Sequence, residues 1–194
     1  IGPGDSNWDS TQATLGGLTR GKWYLEFTPE TAGSNIQLTL SSTIVSSAAS
    51  TLPRGATDYG YYFVDGKIYT NLGTYGAAVG AGVVVGMAID LDAGKLYFAR
   101  NNTWENSGNP ATGANPGARI RKGIAYNIVL AMTSSITTDD NIINFGASDF
   151  SYTPPTDFLA INQDNLDATA DKVTAFAWIK NRDADDSHML FDRV

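Results

Sequence analysis

The stretch from Val83 to Arg100 constrains this chain more than any other. Val83-Val84-Val85-Gly86-Met87-Ala88-Ile89 is apolar on both faces, which fits a central strand covered by protein on each side. Asp90-Leu91-Asp92-Ala93-Gly94 then turns the chain. Lys95-Leu96-Tyr97-Phe98-Ala99-Arg100 returns with the period-two alternation that sends successive side chains to opposite faces.

The same period recurs elsewhere. Trp23, Leu25 and Phe27 alternate with Lys22, Tyr24 and Glu26, which places Glu26 on the outward face. Ile36, Leu38 and Leu40 alternate with Gln37, Thr39 and Ser41. A tyrosine-rich strand is expected over 58–64, with Asp65-Gly66 as a tight turn into Lys67-Ile68-Tyr69-Thr70. Asn101 to Gly117 reads as a long polar loop, and 126–132 and 141–145 as two further strands. Pro154-Pro155 is expected to end the unit, because neither proline can donate to a sheet. The window 164–171 is short, acidic and weakly amphipathic, and reads as a linker rather than a helix.

Composition agrees with an all-β chain. The 194 residues hold 20 glycines and only 17% charged residues, with no cysteine and one histidine, His188. Disulfide scaffolds, thiol nucleophiles and cysteine zinc sites are therefore excluded. A Ser-His-Asp triad would have to use His188, which sits between Ser187 and Met189 and reads as a strand-edge residue. A net charge of −7 argues against nucleic acid as a partner. The one basic cluster, Arg119, Arg121 and Lys122, reads as a solvated loop end rather than a phosphate site. No apolar run approaches the ~20 residues that span a bilayer, so no membrane insertion is expected. The chain opens at Ile1 without a charged-then-apolar leader and stops in a return strand, so a piece of something longer is expected.

Several motifs, in order, carry a resemblance. They are Gly21-Lys22-Trp23-Tyr24-Leu25-Glu26-Phe27, then Tyr59-Gly60-Tyr61 with Asp65-Gly66-Lys67-Ile68-Tyr69. The run from Gly82 to Phe98 follows, and Asn144-Phe145-Gly146 with Phe150 to Pro155 closes the pattern. Together they resemble a SPRY domain over about residues 10 to 160. The resemblance implies an antiparallel β-sandwich of two sheets. The tail, Ala175 to Asp183 with Asp186 to Asp192, is similar to segments that follow SPRY domains in virion proteins of tailed bacteriophages. That implies a virion or extracellular setting.

The expected organisation is a SPRY-like sandwich over 1–160, an acidic linker over 161–171, and a C-terminal β-hairpin over 172–194. The hairpin would belong to an incomplete second β domain or to an oligomer interface. Asp90, Asp92 and Gly94 copy the start of a calcium loop, but the place of the closing glutamate falls on Asn101. The carboxylates are therefore expected to accept turn amides, with no metal and no cofactor. Paired carboxylates for glycoside cleavage are not indicated, and the chain is expected not to be an enzyme. The candidate ligand surface is Tyr61, Tyr62 and Trp104, with Asn101, Asn102 and Asn106 as hydrogen-bonding neighbours. The leading expectation is a tail-fibre, spike or appendage protein that self-associates or joins other virion proteins and binds a host-surface glycan or protein. The alternatives are an intracellular SPRY adaptor and a repeating subunit of an extracellular filament.

Overall fold

The computed structural model describes residues 8–14, 16–30, 35–43, 55–69, 73–133, 141–169, 176–179 and 189–192. The first strands are β1 (Trp8–Gln12), β2 (Lys22–Thr28), β3 (Ile36–Ser41), β4 (Asp58–Tyr62) and β5 (Lys67–Tyr69). Then come β6 (Gly73–Thr74), β7 (Val85–Asp90), β8 (Lys95–Arg100), β9 (Thr103–Trp104) and β10 (Ala118–Arg119). The chain continues with β11 (Asn127–Thr133), β12 (Ile142–Asn144), β13 (Leu159–Ala160) and helix α1 (Gln163–Thr169). It closes with β14 (Phe176–Ile179) and β15 (Met189–Asp192).

Two sheets form an all-β sandwich, as expected. One has the order β1-β11-β3-β4-β5-β6 and the other β10-β8-β7-β2-β12. β9 lies beside β8, and β13 runs parallel to β2 while the other described pairings are antiparallel. β7 sits between β2 and β8, and all six of its residues are buried. Trp23, Leu25 and Phe27 of β2 and Val85, Met87 and Ile89 of β7 enter one core with Ile36, Leu38 and Leu40 of β3. Burying each such side chain contributes about 1.5–3 kcal/mol before the entropy of ordering is counted.

Several expectations change. β4 stops at Tyr62 rather than running to Val64. Phe63 leaves the strand, donates its amide to Ile36 O at 2.9 Å and buries its ring in the core. The turn into β5 is therefore Phe63 to Gly66, closed by the Gly66 amide on Tyr62 O at 2.9 Å. The tandem prolines do not end the sheet, since Leu159 and Ala160 return to pair with Trp23 and Tyr24. Nor does the sandwich stop at residue 160, because Ile161 is fully buried in its core and Leu166 packs against it.

The stretch read as a linker holds α1. Asn162 caps it, its Oδ1 accepting the Asn165 amide at 3.0 Å, which satisfies one of the orphan donors of the first turn. β1, which lies outside the strands expected from the sequence, pairs with β11. β14 and β15 pair antiparallel as a separate two-stranded sheet, the hairpin expected near the C-terminus. Residues 172–175, 180–188 and 193–194 of that expected hairpin, His188 included, lie outside the described residues.

Candidate functional site

Alternation on β2, β7 and β8 aims a second set of side chains away from the core. The registers align them in rows across the sheet. Lys22, Asp90 and Lys95 form one row, Tyr24, Ala88 and Tyr97 the next, and Glu26, Gly86 and Ala99 the third. The middle row is buried with Phe158, and Trp104 and Phe150 pack against it. Something must roof this face, and two excursions of the chain do so.

The first excursion leaves β12 at Asn144, opposite Glu26, and returns to the same edge of β2 at Leu159. Asn144 shapes its start: Oδ1 accepts the Gly146 amide at 2.8 Å, and Nδ2 donates to Ser148 O and Asp149 O. Phe150 then meets Tyr24 edge-on, with centroids 4.9 Å apart at 80°. The Ser151 and Tyr152 amides donate to the Glu26 carboxylate at 2.7 and 3.0 Å, and Tyr24 Oη adds a third bond at 3.0 Å. Glu26 is only 3% exposed, which corrects its outward placement: its face is outward, but roofed. Burial first, and then the Glu26 charge, push the Tyr24 hydroxyl far above the ordinary tyrosine range. Gly86 is required beneath this pair, since a Cβ there would stand 2.8 Å from Tyr24 Oη.

The second excursion follows β8. Asn101 and Asn102 both have positive φ, 44° and 65°, and Arg100 pairs with Thr103. They make a two-residue hairpin turn, which needs two left-handed residues and suits asparagine. The expected long loop from Asn101 is thus first a hairpin. Asn101 also accepts the Val84 amide on Oδ1 at 2.9 Å and donates its own amide to Val84 O at 2.8 Å. Trp104 comes back over the sheet and meets the Tyr97 ring edge-on at 6.3 Å. Asn106, Ser107 and Asn115 continue the series of positive φ values, at 53°, 53° and 46°.

This loop is tied down throughout. Glu105 pairs with Arg100. Asn109 Oδ1 accepts the Thr112 amide at 3.1 Å, and Asn115 Nδ2 donates to Ser107 O at 3.2 Å. Lys95 Nζ donates to Gly113 O at 2.8 Å.

Of the candidate residues, Trp104, Asn101, Asn102 and Asn106 are therefore gathered in one place. Tyr61 is not among them. It is fully buried, stacks on Phe98 at 5.0 Å and donates its hydroxyl to Ala77 O at 2.7 Å. Alternation from Tyr61 turns Tyr62 to the far side of the other sheet, where its hydroxyl donates to Asn35 Oδ1 at 2.5 Å and its ring meets Trp8 and Tyr69. Asp90 accepts a turn amide, that of Ala93, at 2.7 Å, as expected. Asp92 instead accepts the Gly21 amide at 2.9 Å, joining the turn to the start of β2. Among the described residues no group of His, Cys, Asp and Glu is placed to hold a metal, and no helix is long and apolar enough to cross a membrane.

Fold and face together define an antiparallel β-sandwich whose second sheet is roofed by two structured loops, one of them asparagine-rich and carrying a half-buried tryptophan. The chain matches no family model, and no curated protein is significantly similar to it.

Proposed function

We propose that this chain is a non-enzymatic attachment and assembly module of a tailed-phage virion, in a tail fibre, spike or surface appendage. Its SPRY-like sandwich binds a host-surface glycan or protein through the loop from Asn101 to Gly117. One observation supports this above the rest. Asn101, Asn102, Asn106, Ser107 and Asn115 hold left-handed backbone around Trp104, within a loop fixed by its own hydrogen bonds. Asparagine tolerates that conformation, and a run of it with Ser107 fixes the loop in one shape, as is found where a ligand is clamped. A fixed aromatic plane ringed by amide donors and acceptors suits a sugar ring or a polar protein surface, and its rigidity lowers the entropy lost on binding.

The assembly half of the proposal is supported by β14 and β15. A two-stranded sheet is marginal by itself in water, so association with other copies or with virion proteins gives it a stable setting.

Glycan-array and cell-adsorption measurements on the purified chain test the reading, with light scattering for its oligomeric state. Retention on bacterial cells or their surface glycans, by an oligomer, is expected. A monomer that adsorbs to no bacterial surface but captures short peptides would replace this reading with the intracellular adaptor. An oligomer that adsorbs to nothing would replace it with the structural filament.

A further inference from the structure

The cations of this acidic chain are not evenly placed. Among the described residues, Lys67 and Arg100 are ion-paired with Asp65 and Glu105. Lys22, Lys95, Arg119, Arg121 and Lys122 have no ion pair among the described residues, and all of them meet at one end of the roofed sheet.

The registers bring them there. Arg119 pairs with Lys95, Lys95 with Asp90, and Asp90 with Lys22, so one row across four strands reads Arg-Lys-Asp-Lys. Ile120 donates its amide to Gly94 O at 3.0 Å, which brings the chain after β10 against the β7–β8 turn. Lys122 crosses that turn, with its Cγ 3.2 Å from where a Gly94 Cβ would stand. The Arg121 amide is held by Tyr59 Oη at 3.2 Å.

Three carboxylates lie near them, and two of these are already tied to backbone amides. Asp90 is 5% exposed and accepts the Ala93 amide, and Asp92 accepts that of Gly21. Asp157 precedes Phe158, whose ring lies 5.8 Å below Lys22 Nζ. Arg119, Arg121 and Lys122 are exposed, while Lys22 and Lys95 are half-buried at the edge of the aromatic row. Tyr97, in that adjoining row, is fully buried, and its hydroxyl has no hydrogen-bond partner among the described residues. Five cations face fewer carboxylates at this end, and like charges in excess of their counter-ions are relieved when an anion joins them.

We propose that this basic rim is an anion-recognition site, and that it selects an acidic polysaccharide, one bearing carboxylate or phosphate groups, for the adjoining Trp104 loop. The inference rests on the attachment reading and gives it a ligand class. β8 and the loop joining Trp104 to Ala118 make the two features one continuous surface, with Lys95 Nζ on Gly113 O as a tie between them. An extended acidic chain would place charged groups on the rim and a ring on Trp104.

The test uses the full chain and three immobilised probes: polygalacturonate for carboxylate, poly(glycerol phosphate) for phosphate, and neutral dextran. Salt-sensitive binding to one or both acidic probes, and none to dextran, is expected. The exposed pair Arg119→Glu/Arg121→Glu should weaken that binding about tenfold while leaving the melting temperature unchanged. Which acidic probe binds tells carboxylate from phosphate. Wild-type binding to neither acidic probe, or binding indifferent to the double substitution, overturns the rim. So does tighter binding to duplex DNA than to either polysaccharide at the same salt. Cell adsorption is scored in parallel with wild type and the double variant. Undiminished adsorption by the variant leaves attachment standing and removes the rim from it. Acidic-probe binding without adsorption to any cell keeps the rim as an anion site and removes attachment.

Discussion

The backbone amide of Ser151 donates to Glu26 Oε2 at 2.7 Å, across 125 positions of sequence. That bond joins a buried carboxylate in the middle of a sheet to the loop that roofs it. Replacing Glu26 with Gln keeps the volume but removes the charge and turns an amide donor towards one of the two backbone amides. The expected loss is about 2–3 kcal/mol, the range for charge-assisted bonds at a buried site. Chemical denaturation gives the total, and hydrogen exchange should show the Ser151 and Tyr152 amides losing protection first. Undiminished protection at those amides would contradict the roof.

Tyr61 separates a core role from a binding role. Tyr61→Phe removes the bond to Ala77 O and the hydroxyl's interaction with the Arg100 side chain, and should cost about 1 kcal/mol. Tyr61→Ala empties the stack on Phe98 and should cost about 3–5 kcal/mol. Ligand binding by the Phe variant should equal that of wild type, measured on whichever glycan the parent retains.

The Asn101–Asn102 turn makes a prediction with two signs. Glycine at 102 accepts the left-handed φ of 65° without cost, so Asn102→Gly should leave stability equal or slightly higher. Asn102→Val places a β-branched residue there and should lose about 1–2 kcal/mol. Thermal melts of the two variants, bracketing wild type, check this.

Alkaline unfolding follows from the buried tyrosines. Burial, chiefly, raises the Tyr75 hydroxyl from 10.0 to about 12, and Tyr24, Tyr61 and Tyr126 are driven up in the same direction. A raised folded-state value means that the stability is fully present below pH 10 and is lost as pH climbs towards 12 and beyond. Tyrosinate absorbance and circular dichroism should therefore change together above pH 10 for this buried set. Complete tyrosine ionisation with intact ellipticity would contradict it.

The inward half of the fold was legible because burial on one face writes a period of two, as in Trp23, Leu25 and Phe27. The outward half was not. Periodicity says that Tyr24 and Glu26 leave the core, but it cannot say that Phe150 and the Ser151 amide will cover them from so far along the chain. Tyr61 and Tyr62 show the same limit: alternation divides them between two faces without saying which face is the core. Asn101-Asn102 reads as loop because asparagine disfavours strands, although the same tolerance of left-handed backbone makes the tightest hairpin. α1 escaped because its seven residues hold too few turns for a helical period to emerge. The basic rim was half visible in Arg119, Arg121 and Lys122, and only strand register adds Lys22 and Lys95.

Trp104 is the most direct test of the account as a whole. Trp104→Ala removes the half-buried ring above Tyr97 while leaving the Asn101–Asn102 turn and the Glu26 roof in place. Adsorption of the parent and variant chains to bacterial surface glycans should differ by about five- to a hundredfold, for the ~1–3 kcal/mol of an aromatic contact in a binding surface. The variant should melt lower, because the ring also covers Tyr97, and adsorption is compared at a temperature where both chains are folded. Equal adsorption by two folded chains would contradict the assignment of this face as the attachment surface.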